Sequence, residues 1–373
     1  MSMALPGSAK TKSTIADKDK QFVTIKLHRH RDSNPDTDNE TSVYRVLKAT
    51  VDHLETQRIL PLIDNFVLTD GPERFHGLVL QPYAFSLQDL VKSKCLEDDD
   101  LPWILKNVLQ ALEFMHRRGV FHLNITTESI KLKPQTSHVF FELENKERNR
   151  PSDRKLNTAY PPGHAIYKSQ TLDWKHGVWS SYLVGDVLLA NFEEARQRSV
   201  TDVVQPAMYR SPEATLRLVY GPPADIWNLG CMMACVVLDD RSDLPLMWKA
   251  DAKWSAGAHL QKITKTIGIP PIDIARTIGC SHLPNTGYRM DGNWNLSKGH
   301  APRNRLREFT ETHHPGFFLF LQACVKWRPG RRATVGELLR HAWIRNATSR
   351  QQDKWLKKVP AVTRGWVARA ATA

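Results

Sequence analysis

The sequence predicts an α+β protein, with a small strand-rich front and a large helical back. Two features carry that reading. Before residue 85 the apolar residues fall in short alternating runs separated by polar and turn segments. Beyond residue 86 they recur at helical spacing over long stretches, most clearly over 101–118 and again after Ala224.

Each element has its own justification. Residues 1–17 are polar and rich in Lys, Ser and Thr, and are expected to be disordered. Residues 21–27 alternate as a strand, and 31–38, polar and carrying Pro35, read as a loop. A helix is expected over 40–54 from Val43, Leu47, Val51 and Leu54. Residues 59–68 and 78–80 look like two further strands with a turn at Asp70-Gly71-Pro72 between them. Ser86, with Asp89 three residues on, marks a helix start. The 101–118 helix is apolar at Ile104, Leu105, Val108, Leu109, Leu112 and Met115, and Gly119 ends it. Residues 134–180 read as a mostly loop-like insert. After it, Ile226, Leu229, Met232, Met233 and Val236 give a buried helix, and the rest to Ile344 reads as helices joined by loops. No internal repeat is visible.

Bulk properties exclude several classes. At 373 residues, 41% hydrophobic and 24% charged, the chain has the composition of a globular protein with ample material for a core. No apolar run is long enough to cross a bilayer, and the N-terminus lacks a signal-peptide core. Five cysteines without metal-ligand pairing fit a reducing cytoplasm or nucleus, and Cys231 and Cys235, one helical turn apart, read as core. The net charge is +13, but the basic residues are spread without a stacking motif, so nucleic acid is not the expected partner. The densest basic patch is the tail, residues 346–373. The one dense acidic run, Glu97–Asp100, reads as charge complementing the helix that follows.

The informative segment is His122-Leu123-Asn124-Ile125-Thr126-Thr127-Glu128-Ser129. It resembles the catalytic loop of eukaryotic protein kinases, H-R-D-L-x-x-x-x-N, in which Asp takes a proton and Asn holds magnesium. Asn124 stands at the Asp position, Thr126 replaces the usual Lys, and Ser129 replaces the Asn. Other motifs follow in kinase order over roughly residues 20–345. Val23-Thr24-Ile25-Lys26 looks like V-A-I-K, with Glu40 in the next helix as the ion-pair partner of Lys26. Leu80, Gln81 and Tyr83 resemble the back of the adenine pocket and the hinge. Val187–Arg196 resembles the metal-binding D-F-G segment, with Asn191 for Asp, Phe192 kept and Glu193 for Gly. Met208–Glu213 resembles the A-P-E end of the activation segment. Asp225-Ile226-Trp227 resembles the helix whose Asp pins the catalytic loop, and Arg332 would be the buried partner of Glu213.

The resemblance implies a two-lobed kinase fold with a truncated N-lobe and hinge over 18–85. The C-lobe would span 86–345, with its insert at about 134–180. A stretch at 220–227 and another at 259–263 resemble the SR-protein-kinase branch as found in fungi. ATP and magnesium would be bound weakly or not at all. Asn124 cannot act as a carboxylate base, Asn191 offers a neutral oxygen, Ser129 is a shorter ligand, and no glycine-rich loop precedes Lys26. The scaffold residues His122, Phe192, Glu213, Asp225 and Arg332 persist. The leading reading is a catalytically impaired pseudokinase that binds proteins, such as an active kinase or an Arg/Ser-rich protein. Two alternatives stay open: an atypical active serine/threonine kinase using Glu128, Glu193 or Glu194, and a remnant of an incomplete gene.

Overall fold

The computed structural model describes residues 4–5, 22–29, 39–48, 58–70, 73–93, 96, 100–134, 137–156, 165–167, 186–238, 254–281, 286–295, 315–345 and 347. In chain order these form β1 (Ala4–Leu5), β2 (Thr24–Arg29), α1 (Asn39–Lys48), β3 (Leu62–Asp70), β4 (Glu73–Leu80) and β5 (Phe85–Ser86). Helices α2 (Leu87–Lys92) and α3 (Asp100–Arg117) lead to β6 (Ile130–Leu132). The insert holds α4 (His138–Asn149), β7 (Arg154–Leu156) and β8 (Ala165–Tyr167), and β9 (Val187–Leu189) follows. The remainder is helical: α5 (Pro212–Thr215), α6 (Pro222–Leu238), α7 (Ala256–Ile267), α8 (Ile272–Cys280), α9 (Pro315–Cys324), α10 (Val335–Arg340) and α11 (Ala342–Arg345).

The chain divides into two compact units. The first comprises Met1–Leu101, Ile130–Ala190 and Ser349–Ala373. Among its described residues a sheet runs in the order β1-β2-β4-β3, and β5, β6 and β9 form a second, three-stranded sheet. Thr24 pairs with Leu80 and Arg29 with Phe75, so β2 and β4 are antiparallel along their whole length. Gly77 lies opposite Phe66. A Cβ there would fall 2.3 Å from that ring, so only glycine lets the aromatic lie flat across the strand. Ile59 bridges in parallel to Leu189, tying the two sheets together.

The second unit comprises Pro102–Ser129 and Asn191–Thr348. Its core is built on α3 and α6, whose Leu105, Leu109, Leu112, Phe114, Trp227 and Leu229 are fully buried. Helix α6 carries Gly230, where a Cβ would meet Cys324 and Val325 at 2.8 Å. That close approach explains the glycine in the expected D-x-W-x-x-G pattern.

Several expectations shift. Within 1–17, expected to be disordered, Ala4–Leu5 forms β1 against β2; the strand expected over 21–27 runs over Thr24–Arg29, and the next begins at Leu62 rather than Ile59. The helix expected over 40–54 is seen as Asn39–Lys48, and Val51 and Leu54 lie outside the described residues. Among its described residues the insert is not mostly loop: it carries the twelve-residue α4 and the antiparallel β7–β8 pair. Ser86 caps α2 with a full capping box to Asp89, as its spacing predicts. Residues 1–3, 6–21, 31–38 and 348–373, which include most of the N-terminal segment and the basic tail, lie outside the described residues. No helix among the described residues is long and apolar enough to cross a membrane.

Candidate functional site

Within the first unit, β2 and α1 bring together a charge cluster. Lys26 Nζ donates to Glu40 Oε2 at 2.8 Å, and His28 Nε2 lies 3.3 Å from the same oxygen. Lys26 and His28 share a face of the strand because their spacing is two. Glu40 is 1% exposed. Burial alone would raise its carboxyl pKa, but the bond from His28 and the ammonium of Lys26 outweigh burial and hold it below the usual value. Tyr44, one turn along α1, is pushed up by burial and by the Glu40 charge. Lys26 and Glu40 are thus joined as the motif predicts. His28 is the member that the sequence reading missed, although its i+2 spacing from Lys26 was visible.

Also in this unit, the segment after β4 drops from the sheet at residues 81–83. Leu80 is buried. The Gln81 N–H is spent on the Pro61 carbonyl at 3.0 Å, and Ala84 N–H on Leu132 at 3.0 Å. The Gln81 backbone can therefore offer a ligand its carbonyl and not its N–H. Lys131 sits 4.5 Å above the Tyr83 ring, fixing that side chain by a cation–π contact.

Within the second unit, α6 holds the loop over 122–126 by its backbone. Asp225, fully buried, accepts the His122 N–H at 2.9 Å and the Leu123 N–H at 2.7 Å, and lies 2.8 Å from His116 Nε2. Asn228 Oδ1 accepts the Ile125 N–H at 2.6 Å. These bonds hold Leu123 at φ 60°, a left-handed conformation that a leucine does not take unaided. The buried His122 ring meets Phe192 edge-on at 5.4 Å and accepts the Asn124 N–H on Nδ1 at 3.2 Å.

The substituted positions behave differently from one another. Asn191 has φ 67°, and asparagine is among the few side chains that tolerate that region. Asn124 and Asn191 are half-exposed. Ser129, by contrast, is buried and turned into its own loop. Its hydroxyl donates to the Thr126 carbonyl at 2.9 Å and accepts the Thr126 N–H at 3.0 Å, while the Ser129 N–H reaches Thr126 Oγ1 at 3.2 Å. Thr126 and Ser129 therefore close a turn on each other. Glu128 and Glu193 are exposed, and Glu194 lies 3.6 Å from Arg196.

The same unit contains the expected buried ion pair. Arg332 Nη1 and Nη2 bond to Glu213 Oε1 and Oε2 at 2.5 and 2.8 Å, a bidentate fork. Its remaining donors reach the Pro223 and Lys326 carbonyls, and its guanidinium lies over the Trp227 ring.

A crystal structure of a kinase domain superposes over 88% of this chain and 89% of its own, with a TM-score of 0.58 at 16% identity. The fold is that of a protein kinase domain. The family model described as "Protein kinase domain" matches residues 184–344. A serine/threonine protein kinase of Aspergillus fumigatus is 28% identical over 342 residues, covering 85% of this chain and 79% of that one. Human dual specificity tyrosine-phosphorylation-regulated kinase 4 is 27% identical over 167 residues, covering 43% of this chain and 31% of that kinase.

Kinase domains in general use ATP with magnesium, held by an Asp and an Asn. At the positions that the sequence resemblance assigns to those two residues, the second unit has the neutral carboxamide of Asn191 and a Ser129 hydroxyl already engaged by Thr126. Magnesium favours carboxylates, so the residues present do not fit the usual two-ion arrangement.

Proposed function

We propose that this kinase-fold protein is catalytically impaired and works by binding other proteins, with weak or no ATP binding. The observation that carries the reading is the coincidence of three changes in one loop system. Asn124 has no basic carboxylate, Asn191 has no anionic oxygen, and Ser129 Oγ is committed to Thr126. Phosphoryl transfer depends on positioning and on neutralising charge. General-base help alone is worth about 10²–10⁴ in rate.

The parts that remain are those that hold shape: Asp225 on the loop backbone, His122 on Phe192, and Glu213 with Arg332. A chain that keeps its scaffold and loses its reactive charges suits a docking role. The partner class follows from the SR-protein-kinase-like stretches at 220–227 and 259–263: an active kinase or an Arg/Ser-rich protein, in cytoplasm or nucleus. One observation favours a second reading, an atypical active serine/threonine kinase. The Lys26–Glu40 pair is formed at 2.8 Å, the pairing that an active kinase would need to aim Lys26 at a phosphate.

The deciding experiment is thermal stabilisation of the purified chain by ATP, with and without magnesium, beside Lys26→Ala, followed by radiolabelled phosphate transfer. Little or no stabilisation and no transfer are expected. Magnesium-dependent transfer abolished by Lys26→Ala would establish the active kinase instead.

A further inference from the structure

In the second unit, a groove of about 510 Å³ runs between the α7–α8 connection, helix α9 and the segment that follows α9. None of the residues that line it belongs to the site described above. Its walls are apolar for a reason visible in α9. Gln322 is the one polar side chain of that helix, so its apolar surface is wider than one packed face can cover. Phe317, Phe318, Phe320 and Leu321 are buried, whereas Leu319 is 55% exposed. Leu319, Gln322 and Ala323, at spacings of three and four, line the groove together. Ile267 and Pro271 contribute from the connection, and Ile269 and Ile272 beside them in the chain are exposed. Trp327 is buried and lines the groove too. Its Nε1–H is spent on the Gly268 carbonyl at 3.0 Å, so it brings ring carbon and no free donor.

The charged part of the lining has one sign. Among the described residues, Lys326, Arg328 and Arg331 line the groove and no carboxylate does. Arg328 is engaged by Asp273 at 2.7 Å. Glu337, whose charge reaches Lys326, accepts the Thr334 N–H at 2.7 Å in the α10 capping box. Arg331 is exposed, while its neighbour Arg332 turns inward onto Glu213 and fixes the turn from behind. A groove of this size takes a few side chains of a peptide rather than a folded domain. Apolar walls with surplus positive charge suit apolar side chains interspersed with carboxylates. An Arg-rich segment carries the wrong sign for it, and two copies of a chain with net charge +13 repel each other.

We propose that this groove docks a short acidic and apolar segment of a partner protein. The segment's apolar side chains seat against Ile267, Leu319 and Trp327, and its carboxylates meet Lys326 and Arg331. The inference rests on the protein-binding role proposed above, and gives that role a surface and a partner chemistry.

The test is fluorescence anisotropy with the full chain and short fluorescein-labelled peptides. All carry leucine and phenylalanine at varied spacing, set among Asp and Glu, among Lys and Arg, or among Ser. Only the acidic set is expected to bind, with affinity falling as salt is raised. Leu319→Glu and Arg331→Glu are each expected to weaken the best acidic binder about tenfold. Both side chains are exposed, and far-UV circular dichroism checks that both variants fold; if one does not, the other decides by the same criterion. No binding by the acidic set, equal binding by the basic set or by a uridine oligomer, or unchanged affinity in the folded variants overturns the proposal. So does a dimer of the unaltered chain that Leu319→Glu breaks, which would give the groove to a second copy. Phosphate transfer by the unaltered chain would sink the proposed function, whereas the docking site stands or falls on the peptide affinities alone.

Discussion

Ser129 and Thr126 satisfy each other: one hydroxyl closes both the N–H and the carbonyl of Thr126, at 3.0 and 2.9 Å. The loop thereby uses internally the side chain at the position that the kinase resemblance would give to a metal-binding Asn. Ser129→Ala would leave the half-buried Thr126 N–H without this partner, while the Thr126 carbonyl keeps the Ser129 N–H at 3.1 Å, so the expected cost is about 0.5–1.5 kcal/mol. A fall in the urea midpoint at unchanged slope is the expected readout. Ser129→Asn alone should bring no magnesium-dependent stabilisation by ATP, because Asn124 and Asn191 stay neutral. A magnesium-dependent rise in Tm for that single variant would contradict this account of the loop.

The Glu213–Arg332 pair makes a sharper prediction. Both side chains are buried, at 5% and 0% exposure, so removing one strands the charge of the other. Glu213→Ala should destabilise by about 3–5 kcal/mol. Arg332→Met/Glu213→Leu should recover part of that loss, because two apolar groups carry no unpaired charge. A double-mutant cycle from chemical denaturation reads the coupling, and strictly additive losses would show that the fork contributes no pairing energy.

Much of this was legible in the sequence where one residue type has one physical use. Asp225, Glu213, Arg332 and His122 fell where their motifs place them, because buried charges and rings in fixed loops admit few substitutes. Lys26 and Glu40 likewise met as expected. The α4 helix escaped notice because its apolar residues, Val139, Phe140, Phe141 and Leu143, bunch at its start and no stripe continues along the charged remainder. The inward turn of Ser129 was hidden too: a serine three residues after a threonine says nothing of which backbone groups it will close. The role of His28 depended on α1 packing against β2, a tertiary contact that alternation alone does not reveal.

Asp225 anchors three partners with two oxygens, and the Leu123 backbone depends on it. Holding a leucine at positive φ costs about 1–2 kcal/mol, while a hydrogen bond to a charged acceptor returns about 1.5–3 kcal/mol. Asp225→Asn exchanges one acceptor oxygen for an amide donor facing N–H groups. The expected loss is about 3 kcal/mol, with faster hydrogen exchange at His122 and Leu123. Stability equal to that of the parent chain would mean that the loop is held by its side chains instead.

The last prediction concerns acid. His259 is buried on α7 and donates Nε2–H to the Arg210 carbonyl at 2.8 Å, a bond that the neutral Nε2–H tautomer can make. Burial, aided by the nearby Arg210 and Lys262 charges, depresses its pKa from 6.5 to about 4, although the bond to the Arg210 carbonyl works the other way. The unfolded chain therefore takes up a proton on this histidine at a higher pH than the folded chain does. The stability contributed by the neutral ring is fully present above about pH 6.5 and is lost progressively as pH falls towards 4. The full difference is on the order of 3 kcal/mol. His259→Gln retains a donor for the Arg210 carbonyl but cannot titrate. Its denaturation midpoint should fall less steeply between pH 6.5 and 4.5 than that of the parent chain, while at pH 8 it should be the less stable of the two. Parallel pH profiles for the two proteins would show that the ring is protonated in the fold, contrary to its burial.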